Sequence, residues 1–234
     1  MNTTDTPITA VLFDMDGLLL DSERLALAVI ARCARELGLE WEEQTGLSLV
    51  GRNIVDSDAI LRARYGEGAP LEGLRQGFRR HYDAHIDEHG VPIKPGVEAL
   101  LDLLDALGLP RAVATSTGRE RALRKMRRVG LLERFDALVC GDEVARGKPA
   151  PDIFLAAAEA LAVAPPACLV LEDSNAGVRA ALAAGMQVVM VPDVLAPDAD
   201  LLALGVRVEP TLHGVIALLA EGMPDQRQTS GHLQ

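Results

Sequence analysis

The chain has 234 residues, 49% of them hydrophobic, enough for one good-sized domain or for a core carrying a smaller inserted one. A formal net charge of -11 excludes a nucleic-acid backbone as the main partner, because counterion release needs a broad basic face. The opening segment Met1 to Pro7 is polar and acidic and no later apolar run approaches the ~20 residues that cross a bilayer, so a cytoplasmic protein without a membrane partner, monomeric or weakly homodimeric, is expected.

Taken in chain order, Ile8 to Phe13 is an apolar run of strand length, and Asp14-Met15-Asp16-Gly17 follows it. From Ser22 to Pro92 only helical spacing recurs: Glu23 to Leu37, closed by Gly38, a short piece near Glu42, Ile54 to Tyr65, and Leu71 to His89. Ordinary connections run about 4–6 residues, so this stretch predicts an inserted all-helical cap domain, residues 22–92, over the end of the first strand. Trp41, Phe78 and Tyr82 are expected in its core. His81, His85 and His89 would line one helix face at a spacing that can chelate zinc. Without a carboxylate or cysteine partner they read as an exposed or cap-facing stripe.

From Pro95 onward helix and strand alternate. Helical spacing covers Val97 to Leu107, Glu120 to Val129, Ile153 to Leu161 and Ala176 to Ala184, with Gly108, Gly130 and Gly185 at ends. Apolar runs cover Ala112 to Thr115, Ala137 to Cys140, Cys168 to Leu171 and Val188 to Val191. Strands apolar on consecutive positions are buried on both faces, the habit of parallel sheets covered by helices. The pattern predicts an α/β class protein, a doubly wound parallel sheet with right-handed crossovers built from residues 1–21 and 93–234, its tail from 222 frayed. The dense basic stretch Arg119 to Arg128 reads as a solvated helix. Cys33, Cys140 and Cys168 lack metal-ligand spacing and read as reduced, buried thiols.

Polar residues gather where the strands stop: Asp14 and Asp16, then Thr115 and Ser116, Lys148 in the loop after the third strand, and Glu172 and Asp173. Ligands of open α/β sheets bind outside the carboxyl ends of the strands, so these residues should converge on one crevice. Clustered carboxylates repel, and a hard divalent cation resolves the repulsion; oxygen donors suit magnesium better than zinc. Asp14 can then attack phosphorus, while Asp16 protonates the leaving oxygen and later activates water. Lys148, Thr115 and backbone N–H groups would stabilise the equatorial oxygens, and Gly17 leaves room for substrate.

Each feature also has a plainer reading. Asp-x-Asp-Gly is a common turn, Thr115 and Ser116 can cap a helix, Lys148 can be a surface lysine, and Glu172 and Asp173 can simply open a helix. Two other functions compete. Ala114 to Gly118 approximates a serine-nucleophile elbow, followed by Asp173 or Asp193 and by His213, which would make an esterase; that reading leaves Asp14, Asp16 and Lys148 unused. A receiver-like signalling module shares the acceptor aspartate, threonine and lysine, but Asp16 and the long insertion argue against it.

The segments FDMDGLLLDSE, VATSTGR, GKPAPDIF and LVLEDSNAGVRAALAAGM resemble, in order and spacing, the four motifs of the haloacid dehalogenase superfamily. The helical insertion resembles the cap of its β-phosphoglucomutase-like branch. The resemblance implies a Rossmann-like core under a mobile lid, Asp14 as nucleophile, Asp16 as acid and base, and Thr115, Ser116 and Lys148 as phosphate ligands. It implies a magnesium ion held by Asp14, Asp173, the backbone carbonyl of Asp16, and Glu172 directly or through water. Dehalogenases lack the second aspartate, so Asp16 argues against dehalogenation. The mutase places a histidine where this chain has Ala26, and its cap arginine has Ile54 as nearest match. Hydrolysis of a small phosphorylated metabolite, a sugar, polyol or nucleoside monophosphate, is therefore expected, with a phosphohexomutase as the alternative. The stretches GLLLDSERL and AALAAGMQVVMVPD further resemble the pseudouridine-5'-phosphatase-like members. Arg52, Asp56, Arg79 and Arg80 are candidate substrate contacts from the cap.

Overall fold

In the computed structural model, residues 6–50 and 54–222 are described. The apolar run after the first residues forms β1 (Ala10–Phe13), and four helices follow before the next strand: α1 (Ser22–Glu36), α2 (Glu43–Leu47), α3 (Ile54–Tyr65) and α4 (Leu71–His89). The rest alternates as α5 (Val97–Leu107), β2 (Arg111–Thr115), α6 (Arg119–Arg128), β3 (Ala137–Cys140), α7 (Asp152–Ala160), β4 (Cys168–Glu172), α8 (Asn175–Ala183), β5 (Gln187–Met190), α9 (Ala199–Ala203), β6 (Arg207–Val208) and α10 (Leu212–Gly222).

All strand pairs are parallel, in the order β3-β2-β1-β4-β5-β6. Successive residues of a strand point to opposite faces, and the burial obeys that rule. Val11, Phe13, Val113, Leu169 and Leu171 join α5 and α10 side chains in one apolar cluster. Ala10, Leu12, Ala112, Ala114 and Val170 join α7 and α8 in another. Both faces are covered, so the sheet is doubly wound, as expected. The chain runs outward from β1 through β2 and β3, then restarts on the other side at β4. The end of β1 is therefore a topological switch point, where open sheets leave a crevice.

Between β1 and α5 the described residues form helices joined by turns, with no strand among them, and α1 packs along α4. Cys33, Leu61, Leu74, Tyr82 and Ile86 are buried in the same cluster as the sheet residues Phe13 and Val113, so the apolar interior runs from the sheet into the insertion. Trp41 stacks on Tyr65 and Phe78 on Tyr82, at centroid distances of 6.5 and 5.0 Å. His81 bonds Glu36, and His85 meets His89 edge-on. The three cysteines are free and buried. Among the described residues no helix is long and apolar enough to cross a membrane.

Strand ends shift by a residue or two from the apolar runs. The elements β6, α9 and α10 extend the fold beyond the predicted runs. A larger correction concerns α6, which is not a solvated helix all round. Ala122, Lys125 and Met126 are buried, and Arg121 and Arg124 pair with Asp83 and Asp87 of α4 at 3.1 and 3.2 Å. Arg52 and the tail beyond Gly222 lie outside the described residues.

Candidate active site

Because β1 and β4 are adjacent, Asp14 and the pair Glu172–Asp173 leave the sheet side by side, and all three are buried. Their carboxylate oxygens lie within 4.8 Å of one another. Lys148 reaches in from the loop after β3 with its side chain only 6% exposed. It donates to Asp14 and, at 2.5 Å, to Glu172. Glu172 is held from its other side by the backbone N–H and hydroxyl of Ser174, at 2.7 and 2.9 Å.

Two glycines make room for these side chains. A Cβ on Gly17, whose φ is +86°, would come within 2.2 Å of Asp173 Oδ2. A Cβ on Gly177 would come within 1.7 Å of Glu172 Oε1. Both substitutions would drive a carboxylate out of the cluster.

The electrostatics follow from this crowding. Burial, with Glu172 and Asp16 adding to it against the pull of Lys148, pushes the Asp14 carboxyl up to about 7. Burial and the neighbouring charges of Glu172 and Asp14 push Asp173 well above the usual carboxylate range. Burial opposes the Lys148 cation, but Asp14 and Glu172 outweigh it and hold the ammonium charged. Three buried carboxylates facing one lysine leave negative charge uncompensated, and hard oxygen donors in such a cluster fit a divalent cation of the magnesium type.

Asp16, two residues along, meets different neighbours. Its Oδ1 accepts from Ser22 Oγ and Lys125 Nζ, both at 2.5 Å, and its Oδ2 from Thr117 Oγ1 at 2.6 Å. Burial opposes its charge, but Lys125 and these hydrogen bonds prevail and hold the carboxyl below its usual range. Thr115 is buried at the end of β2, its hydroxyl accepting from the N–H of Thr117 at 3.1 Å. Ser116 is exposed.

The structure thus joins Asp14, Lys148, Glu172 and Asp173 directly, sets Gly17 against Asp173, and links Thr115 to Asp16 through Thr117. The triad of an esterase is not assembled among the described residues. Asp193 is taken up by Arg24 and Lys94, each at 2.7 Å, and His213 packs beside Gly96.

Ser22, Glu23, Thr117 and Lys125 were missed by sequence reasoning. Ser22 and Glu23 stand in FDMDGLLLDSE and Thr117 in VATSTGR, a few residues from Asp16 and Thr115. Glu23 lines a cavity of about 370 Å³ within the insertion, together with Ala26, Phe78 and Arg79, and Arg121 of α6 reaches its edge. Burial, then the charge of Asp16, pushes its carboxyl up to about 7.

This sheet and this crevice define a class, and comparison with known proteins identifies it. A family model described as haloacid dehalogenase-like hydrolase matches residues 8–185, and the chain belongs to that family. It is 35% identical over 227 residues to a probable pseudouridine-5'-phosphatase from Drosophila melanogaster, covering 94% of this chain and 93% of that one. It is 32% identical over 187 residues to a bifunctional riboflavin kinase/FMN phosphatase from Arabidopsis thaliana, covering 80% of this chain and 49% of the relative, so it spans about half of that protein. The crystal structure of a family hydrolase from Deinococcus radiodurans, with bound phosphate and sodium, matches with a TM-score of 0.77 at 32% identity, covering 93% of this chain and 97% of that one.

Proposed function

We propose that the protein is a magnesium-dependent phosphatase that hydrolyses a small phosphorylated metabolite through an aspartyl-phosphate on Asp14. The observation that carries this reading is the buried cluster in which Lys148 bridges Asp14 and Glu172 beside Asp173, with Asp16 held separately by three donors. Asp14 and Asp16 stand two residues apart with different partners, which suits two different roles, and a cation bound among Asp14, Glu172 and Asp173 would draw Asp14 back to the anion that attack requires.

Asp14 attacks phosphorus, and its new P–O bond forms as the ester P–O bond breaks. Asp16, ionised in the free site, takes a proton from solvent as the substrate binds and gives it to the leaving oxygen. In the second half a water oxygen bonds to phosphorus, Asp16 takes the water's proton, and the bond to Asp14 breaks to release inorganic phosphate. Lys148, Thr115, Ser116 and the backbone beside Gly17 hold the phosphoryl oxygens. Asp14, Asp173 and Glu172, with the backbone carbonyl of Asp16, would hold Mg²⁺. When bound, the ion screens the anionic nucleophile from the anionic phosphate.

Residues 22–92 serve as the cap over a core of 1–21 and 93–234, and the cavity within the cap, edged by Arg121 of α6, takes the leaving group. Ala26 lines that cavity where the mutase resemblance calls for a histidine, which favours water over a second sugar as acceptor.

The test is release of inorganic phosphate from a panel of phosphorylated sugars, polyols and nucleosides, with magnesium or with chelator. Magnesium-dependent turnover that Asp14→Asn abolishes, by about a thousandfold or more, is the expected result. Turnover that survives both chelator and the substitution would refute the reading.

A further inference from the structure

One buried charge has no part in the steps above. Lys125 lies on α6 with its side chain 3% exposed. A buried ammonium costs several kcal/mol unless an anion and good geometry compensate it, so its partner states its purpose. That partner is Asp16 Oδ1, at 2.5 Å. Asp16 already accepts from Ser22 and Thr117, so Lys125 is not needed merely to satisfy its oxygens. What the lysine adds is a fixed third point and a link to another part of the molecule.

The link runs to the insertion. The Lys125 ammonium sits over the ring of Tyr82 on α4, 5.0 Å from its centroid, and Tyr82 is itself buried. Along the same face of α6, at helical spacing from Lys125, Arg121 reaches Asp83, Arg124 reaches Asp87, and Arg128 donates to the carbonyl of Glu88 at 3.3 Å. Arg121, Arg124, Lys125 and Arg128 form one seam with α4, and the only buried cation of that seam ends on Asp16.

We infer that Lys125, held against Tyr82 of α4, is a positioning residue for Asp16 and ties the placement of that carboxylate to the docking of the helical insertion. The inference rests on the phosphatase reading. Its consequence falls on the step in which Asp16 must meet a water at the phosphoenzyme. Transfer to Asp14 from an aryl phosphate, whose leaving oxygen needs no proton, should be spared.

The experiment follows p-nitrophenyl phosphate with magnesium in the full chain, comparing wild type, Lys125→Met, Lys125→Arg and Tyr82→Leu. With Lys125→Met the first turnover is expected to keep its wild-type rate and to release p-nitrophenol equal to the enzyme present. Steady turnover should then fall by about tenfold to a hundredfold, the scale of misplacing a catalytic group. Lys125→Arg should recover part of the loss. Tyr82→Leu, which keeps the lysine, should show the same split to a smaller degree. Should Lys125→Met not fold, the arginine and Tyr82 variants carry the test through the same split.

A merely structural role would lower first and later turnovers together and would not be rescued by arginine. That result, or wild-type steady turnover in Lys125→Met, would overturn the inference. If wild type itself shows no magnesium-dependent turnover, the phosphatase reading fails instead, so the two failures are distinguishable.

Discussion

On one side of the crevice Asp14 is packed with two more carboxylates and a single shared lysine; on the other, Asp16 is met by a hydroxyl from α1, another from the loop after β2, and a lysine from α6. The two aspartates are separated by one residue, yet the first is pushed up to about 7 and the second is held below its usual range. Motif spacing places both at the end of β1. What differentiates them is which other elements the fold brings alongside. The Asp14 side is made by strand neighbours within the sheet, and the Asp16 side by the insertion and the helix it docks on.

The comparison can be broken most forcefully at Lys148. Lys148→Met removes the cation shared by Asp14 and Glu172, so turnover of the best substrate should fall about 10²–10³-fold, as when a charge-stabilising donor is lost. Steady-state assays with and without magnesium check this; activity within a few-fold of wild type would contradict the role given to that lysine.

A smaller effect sharpens the contrast in protonation. The Asp14 carboxyl rises from 3.8 to about 7 on folding, so across that interval the folded chain binds a proton that the unfolded chain has released. Linkage then makes its contribution fully present below about pH 4 and lost as pH climbs toward 7. In chelator, the denaturant stability of wild type relative to Asp14→Asn should therefore decline between those pH values, and a difference that stays flat would contradict the crowding described for that side.

The smallest effect lies outside the crevice. Arg179 on α8 pairs with Asp198 and Asp200 in solvent, and exposed pairs of this kind are screened and contribute little. Arg179→Ala should match wild type in thermal midpoint and in turnover, which serves as a control for the buried lysines.

Much of the Asp14 side was legible in the sequence, because its members follow directly on apolar strands: Asp14 after β1, Glu172 and Asp173 at the end of β4. Their convergence needs only the rule that ligands bind at the carboxyl ends of parallel strands. The helices α3, α4 and α5 were also legible from their apolar spacing, the last closed by Gly108. Lys125 was not, since it stands in RERALRKMRR, where charge dominates the composition. Only the spacing of Ala122 and Met126 hints that one side of that helix is buried. The two-residue β6 carries too short a pattern to read. In α10, by contrast, Leu212, Val215, Ile216 and Leu219 repeat at helical intervals that could have been recognised.

The central claim is that a phosphoryl group passes through Asp14, and trapping the acyl phosphate tests it most directly. Enzyme quenched during turnover with magnesium, reduced with borohydride and mapped by peptide mass should show Asp14 converted to homoserine. Conversion at Asp16 instead, or a phosphoryl group found on Ser116 with Asp14 unmodified, would contradict the account.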